Sequence, residues 1–219
     1  MARNGFADGA HARWRTLHEL TTIAQFVKLH GNQLAQRYLD YSAVIDNDSH
    51  KSYEQHYEKL GYAAPNIEDV QKVREAYNNV IQKYGKEFGK NYGWAAVALN
   101  DKSPNFSKIE QAVDVSHMRP FYKLANMNVH ADSKSISFRL GLPPNVAQIL
   151  VVGRSMFGLA EPIQNAAYSI NNLTGALLLL EPNIDRLAAI IATTQFVDEL
   201  FMMVHKMGQE LEPSLLRSV

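Results

Sequence analysis

Apolar residues recur at helical spacing along most of the chain. From about Asp8 to His30, Leu17, Leu20, Ala24 and Val27 fall at i, i+3, i+7 and i+10. That spacing predicts an amphipathic helix whose opposite face carries His11, Arg15, His18, Glu19 and Thr22. Gly31 followed by Asn32 stops this helix and caps a second, from Gln33 to about Ile45, with Leu34, Tyr38 and Tyr41 or Val44 on its buried side. Asp46 to Ser49 reads as a break rich in capping residues, after which Tyr53 to Leu60 makes a short helix ended by Gly61. Pro65 and Asn66 introduce another, with Val70, Val73, Tyr77, Val80 and Ile81 in register, closed near Gly85.

The stretch from Lys86 to Pro104 is less regular, punctuated by Gly89 and Gly93. Ser107 is the expected cap of a short helix through Ile109 and Val113, and Met118 to Val129 forms the next. Ala131 to Pro144 reads as loop, because Gly141 and Pro143-Pro144 cannot continue a helix; any strand character is confined to Ser135 to Leu140. Farther on, Ile163, Ala166, Ile170, Leu173, Leu177 and Leu180 form one stripe, broken by Pro182. Leu187, Ile191, Thr194, Val197, Phe201 and Val204 form the stripe of a last helix ending near Gly208, so an antiparallel helix hairpin is expected at the C-terminus. No repeat, β-hairpin or βαβ signal appears. The expected fold is all-α, a single helical bundle of about seven to nine helices over residues 1–219.

Composition fits a globular protein: 219 residues, 46% hydrophobic and 20% charged. Lys plus Arg and Asp plus Glu each number 22, so any nucleic-acid role must rest on a local patch. The absence of cysteine excludes disulfides, thiolate metal sites and cysteine nucleophiles, and agrees with a reducing cytoplasm. The N-terminus lacks the apolar core of a secretory signal, and the conspicuous apolar run Ala176 to Leu180 is too short to cross a bilayer. A cytoplasmic protein with no membrane partner is therefore expected.

Chemistry concentrates between Arg119 and Asp132. Were this segment helical throughout, Tyr122, Asn126 and His130 would share one face, where a phenol, an amide and an imidazole can accept, donate and relay protons. The bland alternative is a hydrogen-bonded network that fixes helix packing. Arg15 and Glu19, likewise, form at least an intrahelical pair. His11 and His18 lie seven apart on one face and could bind a metal with Glu19, but one histidine–acid group is few ligands for such a site. Gly153 and Gly158 lack the Gly-Lys-Ser/Thr of a phosphate loop. The tyrosines and lysines between Tyr53 and Lys90 are interleaved with acids, which reads as a solvated face rather than a nucleic-acid surface.

Several separated pieces resemble a bacterial all-helical family of unknown function. They are Arg13-Trp14-Arg15-Thr16-Leu17-His18-Glu19, Ala35-Gln36-Arg37-Tyr38, Tyr92-Gly93-Trp94-Ala95, the run from Tyr122 through Asn126 to His130-Ala131, and Gly153 to Pro162. The resemblance spans nearly the whole chain and implies a helical fold and a shared polar constellation. Family members commonly have more helix before the Arg13 segment, so a trimmed N-terminus is expected.

A second resemblance is to the helical ribonucleases of the HEPN superfamily, in which an arginine precedes a histidine by four to six residues. Here Lys123 and His130 have six residues between them, with lysine as the cation. The resemblance implies metal-independent cleavage of RNA, or action on a nucleotide, in stress or phage defence. His130 would be the acid–base group, Lys123 or Arg15 would stabilise phosphate charge, and Asn126 and Tyr122 would position the imidazole, with Glu19 paired to Arg15. The chain has several wide apolar faces, one of which a trimmed N-terminus would leave uncovered, so a homo-oligomer, most simply a dimer, is expected; by analogy, HEPN proteins build their sites across dimers. The competing expectations are a non-catalytic helical module for a protein partner and a metal-dependent hydrolase using Glu19, His18 and His130. No cofactor is expected. The Arg15–Glu19 pair and the Tyr122 helix are expected to meet, because each group needs polar partners when buried.

Overall fold

The computed structural model describes residues 1–130, 133–136, 139–142 and 153–216, and among them there is no strand. The α-helices are α1 (Ala7–His30), α2 (Asn32–Asp40), α3 (Ser42–Leu60), α4 (Ile67–Tyr84), α5 (Phe106–Ala112), α6 (Arg119–Met127), α7 (Ala160–Leu178) and α8 (Ile184–Leu216). The protein is all-α. It packs as two compact units, Met1–Gln25 with Val115–Val219, and Phe26–Asp114.

In the first unit the helices bury faces that apolar counting does not select. Along α1, Ala7, His11, Trp14, His18, Thr21 and Thr22 are buried, whereas Leu20 is 54% exposed. The face predicted to point outward is therefore the inner one. The reason lies in what the neighbouring helices offer. Trp14 Nε1 donates to Ser169 Oγ of α7 at 3.0 Å, and the imidazoles of His11 and His18 flank the indole, each with ring centroids 5.3 Å away. Trp14 is itself the largest apolar side chain of that face, and it anchors polar residues on either side of it.

The same inversion occurs on α7. Pro162, Asn165, Ser169 and Ala176 are buried, while Ile170 and Leu177 of the predicted stripe are 54% and 57% exposed. Small and hydroxylated residues permit close approach to α1, and Thr21 Oγ1 lies 3.2 Å from the Ser169 carbonyl. Asn171 Nδ2 donates to Thr194 Oγ1 at 3.2 Å, linking α7 to α8. The half-buried positions of α8 include Ile190, Thr193, Val197 and Phe201, one residue out of register with the first part of the predicted stripe. Helix α8 also continues past Gly208. Its segment Ile184–Met207 is long and apolar enough to cross a membrane by length and composition, though Asp198 and Glu199 lie side by side within it. No long unbroken apolar run marks this segment, because threonines, Gln195 and the acid pair interrupt it.

The second unit contains the last turn of α1, then α2 to α5. Gly31 separates α1 from α2 with φ 74°, as its sequence position predicts. The expected break at Asp46–Ser49 is absent. The chain turns instead at Tyr41, and α3 continues through Asn47, which is buried beside Val44 in the interior. Asn66 caps α4 by accepting from the Glu68 N–H at 2.8 Å. Asn105, not Ser107, caps α5, accepting from the Lys108 N–H at 3.1 Å. Short 3₁₀ turns at Lys86–Gly89 and Gly93–Ala95 fill the irregular stretch. In the first unit, Ser133–Ile136 is a 3₁₀ turn; the rest of the predicted loop and of the strand-like run lies partly outside the described residues.

Candidate functional site

Two helices of the first unit each contribute a polar pair spaced by four residues, which places both members on one face. Helix α1 carries Arg15 and Glu19, and α6 carries Tyr122 and Asn126. Arg15 Nε donates to Asn126 Oδ1 at 2.5 Å and Nη2 donates to the Tyr122 hydroxyl at 2.9 Å. That hydroxyl donates in turn to Glu19 Oε1 at 2.5 Å, and Arg15 Nη2 lies 3.0 Å from the same carboxylate oxygen. The phenol thus accepts from a cation and donates to an anion, the polarity that a hydroxyl between two opposite charges should adopt. The side chains of Arg15 and Glu19 are 20% and 27% exposed, so the network borders solvent. The Tyr122 ring has the Arg15 guanidinium 4.9 Å from its centroid and that of Arg119 at 5.2 Å.

His130 lies beyond the end of α6. Helix α6 ends at Met127, and the chain tightens there: the Asn128 N–H reaches back to Ala125 and the Val129 N–H to Asn126, three residues each rather than four. His130 is exposed beyond this turn, with its backbone N–H donating to the Asn126 carbonyl at 2.8 Å. Of the three residues predicted to share a face, Tyr122 and Asn126 are joined through Arg15, and His130 follows the end of the helix. Lys123 is exposed, one position along from Tyr122. Arg15, not Lys123, is the cation joined to Asn126 and Tyr122.

Behind the network lies a column that sequence reading did not assemble. The His18 ring is 5.8 Å from that of Tyr122, and Trp14 and His11 continue the series into the interior. At its far end His11 Nε2 faces Glu161 Oε1 at 3.3 Å. Burial pushes His11 down from 6.5 to about 4, against the pull of Asp8 and of the Phe121 backbone, and burial pushes the Glu161 carboxyl up. Both groups are thereby biased to their neutral forms. Trp14, Glu161 and Ser169 went unselected as site residues; the available signal was Asn165 and Ser169 four apart within an apolar helix. His11 and His18 flank Trp14, and among the described residues no group of three histidines or acids could hold a metal ion, the trio Glu19, His18 and His130 included.

A family model described as a family of unknown function, DUF5677, matches residues 1–146. The chain belongs to DUF5677. The match takes in α1 and α6, and hence all four residues of the network, and leaves α7 and α8 beyond it. No curated protein and no solved structure matches.

Proposed function

We propose that the Arg15 cluster is a phosphate-directed site that cleaves RNA or acts on a nucleotide without a metal, in the manner of HEPN-type enzymes. The observation that carries this reading is the Arg15 guanidinium, half-buried and held by Glu19, Tyr122 and Asn126, with Asn126 in turn bonded through its carbonyl to the backbone of His130. A cation fixed in this way costs little reorganisation when charge develops on a phosphate oxygen. Arg15 stabilises that charge. Tyr122, Asn126 and Glu19 position the guanidinium, and the exposed imidazole of His130 moves the proton at the ribose hydroxyl or the leaving oxygen. The HEPN resemblance supports a role in bacterial stress or phage defence, in the cytoplasm.

The test is incubation of labelled RNA with the wild type and His130→Ala, with and without chelator. Cleavage that is abolished by the substitution and indifferent to chelator is expected. Dependence on a metal, or no cleavage by folded wild type, would defeat the proposal. A second reading, a non-catalytic module for a protein partner, is favoured by one observation: the described network groups pair with one another while apolar residues of α7 and α8 are left exposed.

A further inference from the structure

Two pieces that carry the family resemblance play no part in the Arg15 cluster, and within the second unit they meet. Ala35 to Tyr38 lies on α2, and Tyr92 caps the 3₁₀ turn Gly93–Ala95. Arg37 Nε donates to the Trp94 carbonyl at 3.1 Å and Nη2 to the Gly93 carbonyl at 3.4 Å. The Tyr38 ring meets the Trp94 indole edge-on, centroids 4.8 Å apart. Gly93 is required there, because a Cβ would overlap the carbonyl oxygens of Phe88 and Glu87. Tyr92 adopts a left-handed conformation at φ 57°, a strained state for a tyrosine and one that concentrates at ligand sites.

The result is an open cavity of about 540 Å³, within the roughly 300–1,000 Å³ of small-ligand sites. Four aromatic residues line it, Tyr38, Tyr41, Tyr92 and Trp94, together with the carboxylate of Asp46; neither lysine nor arginine is among its lining residues. The neighbouring cations are engaged elsewhere. Arg37 lies over the rings of Tyr84 and Phe88, Lys83 pairs with Asp40 at 2.8 Å, and Lys90 pairs with Glu87 at 2.6 Å. Burial, and then the charge of Asp48, push the Tyr41 phenol up.

We propose that this cavity binds an organic cation, an alkylammonium or guanidinium group. Aromatic faces attract a cation through the ring quadrupole, and a carboxylate at the same site selects positive charge over a neutral body of equal shape. The same carboxylate repels phosphate, so the cavity is not a second mouth for the substrate proposed above.

The experiment titrates the full chain with choline, with arginine methyl ester and with 3,3-dimethyl-1-butanol, the neutral isostere of choline. Binding is followed by calorimetry and by ¹⁹F spectra of protein labelled with fluorotryptophan, in which the two tryptophans give two signals. Expected are saturable binding of a cation, a shift of one signal, and binding of the neutral isostere weaker by about tenfold or more. Asp46 is exposed on α3, so Asp46→Asn leaves the fold intact and should weaken the cation about tenfold. A trimethyllysine peptide that binds more tightly than choline would place the cation on a protein; equal binding would place it on a free molecule. Three results would each overturn the proposal: equal affinity for the neutral isostere, no effect of Asp46→Asn, or no saturable cation binding by protein with native helical circular dichroism.

Discussion

His11 makes the protein's stability sensitive to acid. Its folded-state value near 4 lies below the ordinary 6.5, so between these two the unfolded chain takes up a proton that the folded chain refuses. Stability attached to this residue is fully present above pH 6.5 and is lost as pH falls toward 4, by roughly 3 kcal/mol in all. Glu161 works in the opposite sense: its raised value means stability is lost as pH climbs past its ordinary 4.5. A difference measurement separates the two. The stability of wild type relative to His11→Leu, from urea denaturation, should fall by roughly 3 kcal/mol between pH 7 and pH 4. A difference that does not change with pH would mean that the imidazole is not held neutral. At the other end of the column, Tyr122→Phe removes the hydroxyl between Arg15 and Glu19. Because both charges border water and can recover part of their solvation, the expected loss is about 1 kcal/mol by the same measurement.

Among the helices, the capping of α5 gives a direct comparison. Asn105→Ala should cost about 1 kcal/mol by chemical denaturation, whereas Ser107→Ala should change stability by only a few tenths. Equal costs at the two positions would return the cap to Ser107. Such shifts mark where local sequence was readable and where it was not. The existence of α1, α4, α6 and α7 follows from periodicity, since each is long or strongly patterned, and Gly31, Gly61 and Asn66 mark ends because their local chemistry acts alone. Which face turns inward did not follow. Trp14 with two histidines, and Ser169 with Asn165, form an interior whose partners lie more than a hundred residues away, so no window along the chain contains both sides of the contact. The Arg15–Glu19 and Tyr122–Asn126 pairs were legible for the converse reason: each demands polar partners, and each is the other's. His130 lies past the end of α6, where two three-residue hydrogen bonds tighten the chain, a change that residue spacing does not encode.

For the whole molecule, burying polar faces leaves apolar ones outside. On α7, Ile170 and Leu177 are 54% and 57% exposed, Leu180 just after it is 61% exposed, and on α8, Ile184, Ile191, Phe196 and Met202 are between 60% and 83% exposed. Surfaces of this kind mark an assembly or a membrane. The adjacent acids Asp198 and Glu199 lie inside the apolar segment of α8, and ionised pairs at that depth are costly in a bilayer. Pairing of α8 with a second copy covers the apolar face without taking the acids into lipid. A homodimer joined through α8 is therefore the expected state, and light scattering at micromolar concentration should return twice the 24.6 kDa chain mass. Ile191→Lys lies on an exposed face, leaves the interior of the unit untouched, and should shift the mass toward the monomer. A wild-type monomer at that concentration, or recovery of the protein with lipid vesicles on flotation, would exclude self-pairing as the cover for these helices.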